Sequence, residues 1–135
     1  MKLDGVHHIG VNVLDIERAE TFYTDVLGFR VVKRYEEEIR HLMLDTGSAT
    51  LHLFESPNMH MENAIDCLSE QGYAHIAFGT NREHFPEIID ELKKKNVVFR
   101  GPLILGQGES VHFKDPDGNY LEIRCPAKLN NEKKR

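Results

Sequence analysis

The chain has 135 residues, 40% of them hydrophobic and 29% charged, with a formal net charge of −5 and only two cysteines. That length supports an ordinary hydrophobic core without disulfide or metal staples, and the acidic balance excludes a nucleic-acid face of the usual basic kind. No apolar run reaches the roughly 20 residues of a membrane span, and MKLDGVHH has no apolar leader, so a cytoplasmic protein with reduced Cys67 and Cys125 is expected.

From the N-terminus, GVHHIGVNV alternates as a strand does: Val6, His8, Gly10 and Asn12 share one face, while His7, Ile9, Val11 and Val13 share the other. The second set is more apolar, so it faces the core, and His7 is expected to pack or hydrogen-bond on that side. Asp15 is placed to cap a helix over IERAETFYTDVLG, in which Ile16, Ala19, Phe22, Tyr23 and Val26 follow helical spacing and Gly28 stops the turn. FRVVKRYEEE, RHLMLDTG and SATLHLFE then read as three strands separated by turn residues. Residues 56–71 form a connector, with a short helix expected after Asn63.

The same order then starts again. GYAHIAFGT is an alternating strand with His75 in its middle, and NREHFPEIIDELKKKN is an amphipathic helix carrying Phe85, Ile88, Ile89 and Leu92 on one side. VVFRGP, ESVHFKD and NYLEIRC follow as strands, GPLILGQGE is expected as an irregular loop, and 126–135 as a solvated tail. Each half therefore reads β-α-β-β-β. One domain is expected, with module one over about 5–55 and module two over about 72–125.

The repeat extends to individual residues. His8-Ile9 recurs as His75-Ile76, 67 positions on, and the Asp45 to His52 stretch recurs as Asp115 to Glu122, 70 positions on. His8 thus corresponds to His75, and His52 to Glu122, and duplication at this grain predicts a pseudo-twofold arrangement. On their strands, Thr50, His52 and Phe54 share a face opposite Leu51 and Leu53, while Tyr120, Glu122 and Arg124 share a face opposite Leu121 and Ile123. Polar members of the repeat thus lie away from the aliphatic stripe. Imidazoles and a carboxylate that converge on one cavity suit a divalent first-row metal, whether Zn, Ni, Co, Fe or Mn. The plainer alternative is polar decoration of an open antiparallel face. For His8, His75 and Glu122 taken together, the repeat favours ligands, with His52 as a fourth ligand or a neighbouring partner.

HHIGVNVLDIERAETFYTDVLGF, GYAHIAF and FKDPDGNYLEI resemble the vicinal oxygen chelate superfamily, which includes glyoxalase I, methylmalonyl-CoA epimerase, fosfomycin-resistance enzymes and extradiol dioxygenases. The resemblance implies an α+β fold in which two βαβββ modules form an open, cupped mixed sheet around a metal, with helices on the outer face. It also implies a homodimer and the ligands His8, His75 and Glu122. At the position of His52, glyoxalase I-like members commonly carry a glutamate ligand and the epimerases a glutamine, so histidine departs from both.

The expected activity is a metal-dependent, glyoxalase I-like lyase or isomerase acting on a small oxygen-chelating substrate, with Glu122 or His52 as the proton-transferring group. Alternatives are a fosfomycin-type thiol transferase or hydrolase, in keeping with GQGES before the penultimate strand, an extradiol dioxygenase, or a non-catalytic protein that sequesters its ligand. His112 stands where the dioxygenases carry a tyrosine, which counts against ring cleavage. Sharing a face with Ser110 and Lys114, it is expected either to look into the cavity or to stand at the strand rim, and Glu55 is expected as a surface residue at a strand end.

Overall fold

A computed structural model describes residues 1–58 and 74–128. The chain divides into two compact units, Met1–Glu62 and Asn63–Arg135. The first contains β1 (His8–Val13), α1 (Ile16–Thr21), a π-helical turn (Phe22–Val26), β2 (Arg30–Tyr35), β3 (His41–Asp45) and β4 (Thr50–Glu55). The second contains β5 (Ile76–Gly79), α2 (Phe85–Lys94), β6 (Phe99–Leu105), β7 (Gly108–Lys114) and β8 (Tyr120–Pro126). The α+β class and the doubled β-α-β-β-β order are as expected. The connector's predicted helix, Cys67 and the tail beyond Lys128 lie outside the described residues.

Each unit holds one four-stranded mixed sheet, ordered β1-β4-β3-β2 in the first and β5-β8-β7-β6 in the second. The first and last strands of each unit pair in parallel, and all other neighbours are antiparallel. Register carries the duplication further than the residue pattern did. Gly10 sits opposite His52, and Ala77 sits opposite Glu122, the same pairing shifted by the 67 and 70 positions of the repeat.

Alternation sets the facing of β1 as expected: Ile9 and Val11 are half-buried and Val13 is fully buried, while His8, Gly10 and Asn12 are exposed. Val13, Leu42, Leu44, Leu51 and Leu53 form the core of the first unit with Ile16, Ala19 and Tyr23 of the helical segment. Burying each such Leu stabilises the fold by about 1.5–3 kcal/mol. In the second unit Phe85 and Leu92 of α2 are buried, as are Val111, Phe113, Leu121, Ile123 and Cys125 of the sheet.

Asp15 caps α1 by accepting from Arg18 N at 3.1 Å, and Gly28 ends the helical segment at φ +75°. Between them the helix widens into a π-turn. Thr21 and Thr24 hydroxyls donate to the carbonyls of Glu17 and Glu20, at 3.1 and 2.8 Å, a back-bonding that loosens the regular ladder.

Three expectations about elements are corrected. His7 precedes β1 and is exposed, bonded to its neighbour His8 rather than packed under the helix. His75 stands one residue before β5 rather than within it. GPLILGQGE, with Ser110, is a hairpin, in which Leu103, Ile104 and Leu105 pair with Ser110, Glu109 and Gly108, and Gly101-Pro102 sits at a strand irregularity.

Candidate metal centre

Two aspartate turns aim the strands that carry the predicted donors. Asp45 accepts from Gly47 N at 2.7 Å, closing a turn in which Gly47 takes φ +99°. Asp115 accepts from Asp117 N and Asn119 N, both at 2.9 Å, and Gly118 takes φ +89°. A left-handed glycine lets the chain reverse here without a Cβ clash. His52 and Glu122 each stand seven residues after their aspartate, in the middle of β4 and β8.

In the first unit the structure brings His8 and His52 together: their rings stack at 4.3 Å between centroids with an interplanar angle of 19°. His8 Nδ1 lies 2.8 Å from His7 Nδ1. His52 is buried and engaged at both ring nitrogens, Nδ1 with His41 Nε2 at 2.9 Å and Nε2 with Thr50 Oγ1 at 3.1 Å. His41 in turn stacks on Phe54 at 4.2 Å and on Tyr35 at 4.8 Å. Burial, reinforced by the nearby His8 charge, pushes the pKa of both His41 and His52 down, so both rings are neutral near pH 7.

In the second unit the structure brings His75 and Glu122 together, with His75 Nε2 3.0 Å from Glu122 Oε1. The Glu122 carboxylate is buried, and Ser110 Oγ donates to its other oxygen at 2.6 Å. Arg124 NH1 reaches the Ser110 hydroxyl at 3.1 Å and lies 3.6 Å from Glu122 Oε2. Burial alone would raise the Glu122 pKa. The Ser110 hydrogen bond, with His112, His75 and Arg124, outweighs it and holds the carboxyl below its ordinary value.

His112 is not at the rim. It is buried beside Glu122, with Nε2 3.4 Å from Oε1, and among the described residues its buried Nδ1 has no hydrogen-bond partner. Burial lowers its pKa, although Glu122 pulls the other way. Glu55 is not a surface residue either. It accepts from Ile16 N at 3.0 Å and from Arg40 Nε at 2.9 Å, tying β4 to the start of α1. Asp15, Glu17 and Glu55 form a carboxylate cluster, but Arg40 binds Glu17 and Glu55 and Asp15 caps the helix, so its charge is already answered.

The donor chemistry fits a divalent ion. Imidazole and ionised carboxylate are ligands that such an ion takes, and His75 Nε2 and Glu122 Oε1 stand together, 3.0 Å apart and within hydrogen-bond reach. A carboxylate kept ionised while buried supplies the charge such an ion needs. Sequence reasoning missed His41 and Ser110, which meet the predicted donors diagonally across neighbouring strands.

Residues 5–123 match the model of the Glyoxalase/Bleomycin resistance protein/Dioxygenase superfamily, and the chain belongs to that family. Among curated relatives, it is 30% identical over 126 residues to the metallothiol transferase FosB of Staphylococcus epidermidis, spanning 91% of this chain and 82% of that protein. It is 27% identical over 131 residues to the fosfomycin resistance protein FosX of Listeria monocytogenes, spanning 91% of this chain and 90% of that one. A crystal structure of a mutant Listeria FosX, complexed with Mn(II) and 1S,2S-dihydroxypropylphosphonic acid, shares the fold. Its TM-score is 0.72 at 17% identity, over 99% of this chain and 100% of that one.

Proposed function

We propose that the protein is a divalent-metal enzyme acting on a small substrate with two neighbouring oxygens, with His8, His75 and Glu122 as metal ligands and His52 as the fourth donor. The observation that carries this reading is the buried Glu122 carboxylate, fixed by Ser110 and standing 3.0 Å from His75 Nε2. His8 and His52 lie on β1 and β4, His75 just before β5 and Glu122 on β8, and the enzyme is proposed to act as a homodimer.

When bound, the ion supplies Lewis acidity toward the substrate oxygens. The Ser110 hydroxyl occupies Glu122 Oε2 and leaves Oε1 for the site. His52, kept neutral by burial, can hold a proton at a ring nitrogen, and Glu122 is the competing proton carrier.

Named relatives favour the opening of a fosfomycin-type oxirane over the glyoxalase I-like reaction expected first. The diol in the FosX complex is what water addition across an oxirane yields. In that chemistry a ring C–O bond breaks as the bond to water or a thiol forms, and the nucleophile's proton ends on the ring oxygen. Glyoxalase I-like isomerisation is the second reading, favoured by a fourth protein donor, His52, stacked against His8.

The test is metal analysis of protein purified without chelator, followed by phosphorus NMR of fosfomycin incubated with thiols or with water alone. Hemithioacetals are assayed in parallel with Ni, Co, Mn and Zn. Bound metal and loss of the fosfomycin resonance are expected; His8→Ala loses the metal, whereas His7→Ala keeps it. Hemithioacetal turnover with inert fosfomycin selects the second reading. Fewer than about one ion per two chains, with no uptake on titration, sinks both.

A further inference from the structure

His41 belongs to no part of the proposed donor set, yet the duplication gives it a counterpart. Residue 41 pairs with Phe54 across β3 and β4, as Ser110 pairs with Arg124 across β7 and β8. Both Phe54 and Arg124 lie two residues beyond the proposed donor on its own strand. From these equivalent stations His41 reaches His52 at 2.9 Å, and Ser110 reaches Glu122 at 2.6 Å. In the second unit the supporting hydroxyl takes one carboxylate oxygen and leaves the other toward His75. The equivalent act in the first unit is to take Nδ1 of His52 and leave Nε2.

We infer that His41 is a positioning residue, whose Nε2 accepts the Nδ1 proton of His52 and so fixes the tautomer in which His52 Nε2 carries the lone pair. The inference rests on the proposed role of His52 and extends it to the residue that sets its protonation pattern. A neutral imidazole has one donor and one acceptor nitrogen, and the partner of the first decides which lone pair remains for the second. With His41 Nε2 as acceptor, the Thr50 hydroxyl, 3.1 Å from His52 Nε2, donates to that lone pair and yields it when a stronger Lewis acid arrives. The opposite assignment puts a proton on His52 Nε2 and closes that nitrogen to an ion. Stacking of His41 on Phe54 and Tyr35 holds its ring in place for the contact.

Nitrogen-15 NMR of the imidazole rings in the metal-free protein reads the tautomer without reference to activity. His52 is expected as the Nδ1–H form in the parent protein. His41→Phe keeps the aromatic stack and removes the acceptor, so His52 should shift to the Nε2–H form. His41→Gln restores an acceptor oxygen and should return much of the Nδ1–H form. Metal affinity should follow the same order, falling about 10–100-fold in His41→Phe. A parent protein with His52 in the Nε2–H form, or an unchanged His52 tautomer in His41→Phe, overturns the inference. Failure of the enzyme reading looks different: the parent protein takes up no metal, whatever tautomer His52 shows.

Discussion

Glu122 shows how one hydroxyl decides the state of a buried carboxylate. Removed from water, the group would prefer to be neutral, yet the short Ser110 hydrogen bond and the surrounding His112, His75 and Arg124 keep its pKa below the ordinary value of 4.5. A pKa lowered in the folded state contributes stability that is complete above the ordinary value and is lost as pH falls through the lowered one. Ser110→Ala leaves the buried oxygen without its donor. The expected cost is about 1.5–3 kcal/mol at pH 7, as for hydrogen bonds to charged groups. The Glu122 carboxyl should also move upward in a carbon-13 NMR titration of metal-free protein. An unmoved titration would assign the low pKa to the histidines and Arg124 instead.

At the scale of elements, the first unit is tied together through a residue that its sequence presented as decoration. Glu55, at the end of β4, accepts from Ile16 N at the start of α1, and Arg40, just before β3, binds the same carboxylate at 2.7 Å while also reaching Glu17. The Arg40 contact, then the Ile16 amide, lowers the Glu55 pKa. Its stability contribution is therefore present above pH 4.5 and disappears as the carboxyl protonates on acidification. Glu55→Gln should cost about 1–2 kcal/mol near neutral pH and flatten the acid limb of a denaturation series, converging with the parent at low pH. Parallel acid limbs would remove Glu55 from the acid transition. The alternation of VHHIGVNV was legible because a strand with one buried face must repeat every second residue, and it put His8 on the face opposite Ile9 and Val11, whereas in β4 His52 is buried along with Leu51 and Leu53. The β6–β7 hairpin was not legible, because glycine and proline mark turns and strand irregularities alike. His41, Ser110 and the strut role of Glu55 were hidden for a different reason. Each acts through a partner on another element, and register and packing, not local pattern, bring the two together.

At the scale of the whole molecule, the proposed donor set predicts how the protein melts. If the proposed ligands His8, His75 and Glu122 serve one ion, losing any one of them removes the stabilisation that binding supplies. A ligand bound only by the native state stabilises by about 2.7 kcal/mol at a hundredfold excess over Kd. Chelation should therefore lower the melting temperature of the parent protein. His8→Ala and Glu122→Gln should each abolish that response completely. Because they delete the same ion, their effects on metal-dependent stability should not add: the double variant should match either single one in its response to chelator, as coupled sites do in a double-mutant cycle. Two independent ions, one at His8 and one at Glu122, would instead leave each single variant with part of the response and the double variant with none. Chelator-dependent melting of the four proteins distinguishes these cases without a substrate, and partial responses in both single variants would assign His8 and Glu122 to different ions.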